Sequence, residues 1–131
     1  MKIRDEESLH GLAEAARKLL TPAVPRIAVG MSSCGLAAGA QHVMEALERE
    51  SKSQGLECRV VGVGCLGFCS AEPLVEIILP GKFRTIYGNV QDAYSAEMIA
   101  HIREGRLPRE NLLGCLEIPC AESSNVTHEA P

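Results

Sequence analysis

The chain has 131 residues and a formal net charge of −4, with two Phe, two Tyr and no Trp. This length allows one domain, whose core would consist mainly of Leu, Val, Ile and Ala. The acidic balance argues against a nucleic-acid partner, because such binding requires a concentrated basic surface. No apolar run approaches the ~20 residues of a membrane span, and the N-terminal residues lack the apolar centre of a signal peptide. We therefore expect a cytoplasmic protein without a membrane span.

The first predicted element is a helix over residues 5–20, which Pro22 ends. Its apolar side chains recur at helical spacing. They are Leu9, Leu12, Ala13, Ala16, Leu19 and Leu20. The rigid sequence TPAVP follows, so we expect an N-terminal helix and connector over residues 1–24.

A β-α-β unit is predicted next. The apolar run RIAVGM over residues 26–31 favours a buried strand, and a helix with an apolar and a charged face follows over residues 36–53. A second strand is expected in LECRVVGV, residues 56–63. Because β-α-β connections are right-handed crossovers, the two strands should be parallel.

The remaining elements are predicted as a β-β-α unit. The apolar runs over residues 74–80 and 83–90 flank the turn at Gly81 and indicate an antiparallel hairpin. A last helix is expected over residues 91–105. The predicted fold is therefore an α/β domain over residues 25–108 with a mixed four-stranded sheet, followed by a flexible tail over residues 109–131.

Six cysteines is a high count for such a chain, and in a cytoplasmic protein paired cysteines more often indicate metal or redox chemistry than disulfides. Cys65 and Cys69 lie four residues apart in the loop GCLGFCSAEP, where Gly67 permits a turn. Two such thiolates could bind one iron or zinc ion or form a disulfide. They could also be two small buried packing residues, and the spacing alone leaves all three interpretations open.

Cys34 is expected near these two cysteines. It follows the first strand at the start of a helix, where the helix N-terminus stabilises a thiolate. Because Cys65 follows the parallel strand, both loops should open at the same edge of the sheet. Cys58 lies seven residues before Cys65, roughly 20 Å away along the strand at ~3.3 Å per residue. We interpret Cys58 as an ordinary strand residue.

Other candidate residues carry weaker signals. Cys115 and Cys120 form a C-x4-C pair in the tail and could be a disulfide, a ligand pair for a partner or, as we favour, two plain thiols. His42 could complete a three-cysteine site, although such a histidine is more often a solvent-facing helix residue. The motif GVGCLG is not a phosphate-binding loop, because no helix beginning with Lys-Ser or Lys-Thr follows it.

The segments RIAVGMSSCGLAAGAQHVMEAL, VGVGCLGFCSAEPLVEIILPG and YGNV resemble the thioredoxin-like [2Fe-2S] ferredoxin domain. The closest form is the N-terminal domain of the NADH-binding flavoprotein subunit in hydrogenase and formate dehydrogenase complexes related to respiratory complex I. The resemblance covers residues 25–108. It implies a thioredoxin-like fold and a [2Fe-2S] cluster as cofactor.

In that family the cluster has two cysteine pairs as ligands, C-x4-C in the first loop and C-x3-C in the second. Cys65 and Cys69 match the second pair, and Cys34 matches one member of the first. The other member is missing. Its position is Gly39 if Cys34 is the first cysteine of the pair, and Val29 or Gly30 if it is the second.

The resemblance thus implies Cys34, Cys65 and Cys69 as metal ligands. For the fourth position, the candidates are His42, Ser33 or a ligand from outside the chain.

Three functions are compatible with these residues. The resemblance favours an electron-transfer subunit, and not a self-sufficient enzyme, of an NAD(P)-linked hydrogenase or formate dehydrogenase complex. Its partners would be a flavoprotein or hydrogenase or formate dehydrogenase subunits, and the family also suggests a homodimer. The alternative is a docking module of the same fold without a cluster. The third is a thiol redox protein with Cys34 as nucleophile and Cys65 or Cys69 as resolving partner, ranked last because the C-x-x-C motif of thioredoxins is missing.

Overall fold

The computed structural model of the chain describes residues 2–20, 22–82 and 84–116. Within these ranges the helices are α1 (Glu6–Leu20), α2 (Ser33–Ala38), α3 (Ala40–Ser53) and α4 (Ser95–Arg103). The strands are β1 (Arg26–Gly30), β2 (Arg59–Val63), β3 (Val75–Ile78), β4 (Arg84–Tyr87) and β5 (Leu112–Leu116). Short 3-10 turns cover Cys69–Ala71 and Asp92–Tyr94.

The strands form one mixed sheet in the order β2-β1-β3-β4-β5. β1 and β2 are parallel, with Ala28 opposite Val61. β3 runs antiparallel to both β1 and β4. The predicted parallel β-α-β unit, the antiparallel hairpin and the α/β class are confirmed. The parallel pairing places the ends of β1 and β2 at the same edge of the sheet.

The sheet has one strand more than the four predicted. β5 pairs antiparallel with β4, so that Cys115 lies opposite Thr85. The first part of the predicted flexible tail is thus a strand of the sheet, and residues 117–131 of that tail lie outside the described ranges. β5 is an edge strand, and all of its residues are exposed. Because neither of its faces is buried, its sequence shows no alternation of apolar and polar residues.

The second helix is broken at Gly39, which the prediction of one continuous helix missed. Gly39 has a φ of +100°, a left-handed conformation that favours glycine, and it ends α2 and begins α3. Its carbonyl accepts hydrogen bonds from the N–H groups of His42 and Val43. As a result Cys34 lies on a separate short helix directly after β1, and not in the loop before the long helix.

The core lies between the sheet and the helices α3 and α4. It includes Ile27 of β1, Leu47 of α3, Tyr87 of β4 and Met98 of α4, each with no exposed surface. The hydroxyl of Tyr87 donates a hydrogen bond to the carbonyl of Pro108 at 3.0 Å, which satisfies the buried polar end of the ring. This core fixes the carboxyl ends of β1 and β2, and with them the loops that carry the cysteines.

The N-terminal helix α1 begins at a side-chain cap. The N–H of Ser8 donates to Asp5 Oδ1 at 2.8 Å, and this bond lowers the pKa of the Asp5 carboxyl. Leu9 and Leu12 remain exposed on this helix. Within the described part of the chain, no helix combines the length and apolar character needed to cross a membrane.

Candidate metal centre

The loop that follows β2 brings Cys65 and Cys69 together. Their sulfur atoms are 3.8 Å apart. Gly67 between them has a φ of +88°, and its N–H donates a hydrogen bond of 3.2 Å to Cys65 Sγ. The 3-10 turn Cys69–Ala71 closes with a bond from the N–H of Ala71 to the carbonyl of Phe68. The loop therefore directs both thiols to the same side.

The separation of the two sulfurs fits shared coordination of one metal. Two sulfurs that bind one metal tetrahedrally at ~2.3 Å are about 3.8 Å apart. Both Cys65 and Cys69 are free thiols and both are exposed. The interpretation of these cysteines as buried packing residues is therefore wrong, because neither contributes to the core.

Cys34 lies beside this pair. It is half-buried on α2, and its thiol is near enough to Cys69 to be the largest cause that raises the pKa of Cys69 to about 11, with Cys65 as the second. The structure thus brings Cys34, Cys65 and Cys69 together at the edge where β1 and β2 end. This convergence follows from the parallel pairing of the two strands.

The environment lowers the pKa of the Cys65 thiol. The largest cause is the N–H of Gly67, followed by the thiol of Cys69, and the hydroxyl of Ser32 acts in the same direction. The negative charge of Glu72 opposes them. The Ser32 Oγ is buried and has no hydrogen-bond partner of normal geometry among the described residues. Within the loop pair, Cys65 therefore has the lower pKa and Cys69 the higher one.

The other cysteines lie elsewhere. Cys58 precedes the first residue of β2 and Cys65 follows the last, so the two are at opposite ends of that strand. Cys58 packs partly against the core, and burial raises the pKa of its thiol. Cys115 is exposed on β5, and Cys120 lies outside the described residues, so the C-x4-C pair stays a prediction.

The candidates for the fourth ligand differ in their positions. Ser33 is exposed at the first residue of α2. His42 is exposed on α3, in the wall of a groove of about 430 Å³ that Gly39 and Glu72 also line. Ser33 and His42 stay predictions as ligands.

The three candidate positions of the missing cysteine differ in their surroundings. Val29 has no exposed surface and belongs to the core, so a side chain there points away from the site. A Cβ at Gly39 would meet no heavy atom within 4 Å. A Cβ at Gly30 would lie 3.2 Å from Glu72 Oε1 and 3.3 Å from Glu72 Oε2.

Glu72 is a site residue that sequence reasoning missed. Its side chain is buried with 7% of the residue exposed, and Oε2 accepts a hydrogen bond of 2.8 Å from the N–H of Leu74. Oε1 is buried and makes no hydrogen bond with any described residue. One feature of the sequence could have indicated Glu72 as a site residue, since it is the single charged residue in the loop GCLGFCSAEP.

The donor set at this edge of the sheet consists of one close pair of thiols and a third thiol beside it. Among residues 2–20, 22–82 and 84–116, no three His, Cys, Asp or Glu side chains are placed to hold one metal ion. A [2Fe-2S] cluster distributes its ligands over two irons, so it does not require three ligands around one ion. Cys65 and Cys69 form a pair suited to one iron, and Cys34 contributes a further thiol close by.

Solved structures with the same fold are thioredoxin-like [2Fe-2S] ferredoxins. One from Aquifex aeolicus matches with a TM-score of 0.61 at 16% identity, over 70% of this chain and 97% of the ferredoxin. Another structure of such a ferredoxin from that organism has a TM-score of 0.63 at 15% identity, over 73% of this chain and 96% of the ferredoxin. The predicted thioredoxin-like fold is confirmed, and at these identities the likeness concerns the fold.

A curated relative is the NADP-reducing hydrogenase subunit HndB of Solidesulfovibrio fructosivorans, 36% identical over 74 residues. The match spans 56% of this chain and 59% of that subunit. No family model matches the chain. The resemblance to hydrogenase-complex subunits that the sequence motifs indicated is thereby confirmed.

Proposed function

We propose that this chain is an electron-transfer subunit of an NAD(P)-linked oxidoreductase complex of the hydrogenase or formate dehydrogenase type. Cys34, Cys65 and Cys69 would hold a [2Fe-2S] cluster. The observation that carries the proposal is the distance of 3.8 Å between Cys65 Sγ and Cys69 Sγ, which suits two ligands of one iron. When bound, such a cluster supplies a centre that accepts and donates one electron.

The chain itself contributes three things to this chemistry. The N–H of Gly67 stabilises the thiolate of Cys65 and would tune the reduction potential through its hydrogen bond to sulfur. The end of the parallel strands positions Cys34 beside the pair. The loop holds Cys65 and Cys69 at the surface, which allows a redox partner to approach the site closely.

Exposed apolar side chains at the site support a docking role. Phe68, within the C-x3-C loop, is 53% exposed, and Leu36, two residues after Cys34, is 49% exposed. Apolar side chains of this size at a surface favour burial against another protein. The net charge of −4 would complement a basic partner surface. The likeness to a hydrogenase subunit supports a hydrogenase subunit as the partner. A flavoprotein or formate dehydrogenase subunit as partner, a cytoplasmic location and a homodimer are further proposals that rest on the sequence resemblance.

Anaerobic reconstitution with iron and sulfide tests the proposed function. We expect about two irons per chain and a visible absorption band that is partly bleached on reduction, with an EPR signal of the reduced cluster. The matched control is Cys58→Ser, which removes a thiol at the far end of β2 and should leave iron binding unchanged. A wild-type chain that remains colourless and free of iron under these conditions would contradict the proposal.

A docking module without a cluster is the second candidate. The observation that favours it is the exposure of the apolar side chains of Phe68 and Leu36 beside the cysteines, which would bind a partner with or without iron. This candidate predicts that the chain binds its partner subunits equally well with and without iron. The same reconstituted and iron-free samples therefore separate the two functions when each is tested for partner binding.

A further inference from the structure

The carboxylate of Glu72 is buried beside the cysteine loops with one oxygen unpartnered. The residue is 7% exposed, and Oε1 makes no hydrogen bond with the described residues, while Oε2 accepts one from the N–H of Leu74. Burial of a carboxylate without a compensating donor or cation is strongly unfavourable. The position of Oε1 therefore calls for a positively charged group or a metal as its partner.

This carboxylate lies at Gly30, one of the three candidate positions of the missing cysteine. The three heavy atoms nearest to a Cβ at Gly30 are all atoms of the Glu72 carboxylate, at 3.2, 3.3 and 3.7 Å. A Cβ at Gly35, the residue after Cys34, would lie 3.2 Å from Glu72 Oε2. Glu72 thus occupies the space that a cysteine side chain at Gly30 would enter, next to the backbone that carries Cys34.

The charge of the Glu72 carboxylate also reaches the Cys65 thiol, where it is the smallest of the causes that act on the pKa. The other buried glutamate in the described chain, Glu76, differs in this respect. Its carboxylate is satisfied by ion pairs with Arg26 and Arg84 on the sheet. Glu72 is accordingly the buried acid with an unpartnered oxygen, and its carboxylate lies against Gly30 and against Gly35, the residue after Cys34.

We propose that Glu72 supplies the fourth protein ligand of the iron-sulfur cluster through its Oε1, in place of the cysteine that the chain lacks. This inference rests on the proposed function. Carboxylate oxygens are established iron ligands in proteins. The coordination would then consist of three thiolates and one carboxylate, with Cys65 and Cys69 on one iron and Cys34 and Glu72 on the other. His42 and Ser33 are both exposed, so neither needs a metal to compensate for burial.

The experiment compares wild type, Glu72→Gln and Glu76→Gln after anaerobic reconstitution. Glutamine at residue 72 keeps the shape and can still accept the hydrogen bond from Leu74, but it is a much weaker ligand. We expect Glu72→Gln to lose its cluster at least about tenfold faster than wild type and to change the g values of the EPR signal. Glu76→Gln is the matched control, since it also removes a buried carboxylate but should leave the EPR signal unchanged.

A rescue variant adds a second test. In Gly30→Cys/Glu72→Ala the new thiol enters the space that the carboxylate leaves. We expect this variant to regain wild-type cluster lifetime or better, with the EPR and absorption spectra of an all-cysteine [2Fe-2S] cluster. If circular dichroism shows that Glu72→Gln does not fold, Glu72→Asp replaces it in the test. Aspartate keeps the negative charge, but its shorter side chain places the carboxylate oxygen farther from the iron, so we expect the change in g values in this variant instead.

The outcomes separate the two proposals. A wild-type chain that binds no iron overturns the proposed function, and the ligand assignment with it. Iron binding in wild type together with an unchanged EPR signal and lifetime in both Glu72 variants overturns the ligand assignment alone. A Glu72→Gln signal that differs from wild type while Glu76→Gln does not supports Glu72 as the ligand.

Discussion

The N–H of Gly67 donates a hydrogen bond of 3.2 Å to the sulfur of Cys65. This contact is the largest cause that lowers the pKa of the Cys65 thiol. Cys69 behaves in the opposite way, since the thiols of Cys34 and Cys65 raise its pKa to about 11. Two cysteines four residues apart in one loop therefore have very different acidities.

The first prediction concerns the reactivity of these thiols in the metal-free protein. Alkylation requires a thiolate. With a pKa of about 11, only about one in a thousand Cys69 side chains is ionised at pH 8, whereas the lowered pKa of Cys65 leaves a larger thiolate fraction there. We expect iodoacetamide at pH 8 to modify Cys65 well before Cys69, and Cys69 to become reactive as the pH rises towards 11.

Mass spectrometry of peptides after short labelling times measures both rates. Cys115 is the control, because it is exposed on β5 away from the pair. Equal labelling rates for Cys65 and Cys69 at pH 8 would contradict the predicted order of ionisation.

The second prediction concerns the thiols as ligands. Cys65→Ser or Cys69→Ser should abolish the visible absorbance of the reconstituted protein, because each removes half of the pair that fits one iron. Cys34→Ser should weaken it strongly, because Cys34 is the thiolate proposed for the second iron. Cys58→Ser should leave it intact. Retained absorbance in both loop variants would show that the iron binds elsewhere.

The fold could be predicted from the sequence wherever burial imposes a pattern. The apolar run at β1, the amphipathic helix and the turn at Gly81 were sufficient to predict the parallel and antiparallel pairings. β5 could not be predicted, because all its side chains are exposed and the strand is defined by its backbone pairing with β4. The break at Gly39 was missed since a run of small residues is compatible with a continuous helix.

Part of the candidate site could also be predicted from the sequence. Cys34, Cys65 and Cys69 could be placed together because the topology of parallel strands fixes where their loops emerge. Glu72 could not, because the burial of its carboxylate depends on how the loop packs against Gly30 and Gly35, which no local pattern records.

The third prediction concerns the buried acid Glu76 of β3. Its carboxylate receives hydrogen bonds from Arg26, at 3.3 Å, and from Arg84. The two arginines are partly exposed, so solvent screens the pair and reduces its contribution. Glu76→Gln should lower the free energy of unfolding by about 1–3 kcal/mol, measured by urea denaturation. The exposed pair of Glu104 and Arg106 gives the control, since Glu104→Gln should leave the free energy of unfolding nearly unchanged.

The fourth prediction concerns the hydroxyl of Tyr87. The residue has no exposed surface, and its hydroxyl is bonded to the carbonyl of Pro108. Tyr87→Phe keeps the ring in the core but leaves that carbonyl without its donor, so we expect a loss of about 1–2 kcal/mol in unfolding free energy. The partly exposed Tyr94 provides the comparison, and Tyr94→Phe should have the smaller effect. Equal stability of Tyr87→Phe and wild type would mean that water replaces the lost hydrogen bond.

The last prediction decides which position lost its cysteine. If Cys34 is the first member of the family's pair, Gly39→Cys should restore a fourth thiolate and stabilise the cluster. Gly39 has a φ of +100°, however, and its added Cβ would have no heavy atom within 4 Å. We therefore expect Gly39→Cys to lower the unfolding free energy by about 1–2 kcal/mol through backbone strain without extending the lifetime of the cluster.

Gly30→Cys/Glu72→Ala is the matched comparison, because its new thiol points into the space beside Cys34 that the Glu72 carboxylate now fills. Cluster lifetime under air, followed by the decay of visible absorbance, ranks the two variants, and urea denaturation measures the strain at Gly39. A Gly39→Cys protein whose cluster outlasts that of the double variant would place the missing ligand at the helix junction, make Cys34 the first cysteine of its pair, and remove the reason for a carboxylate ligand at Glu72.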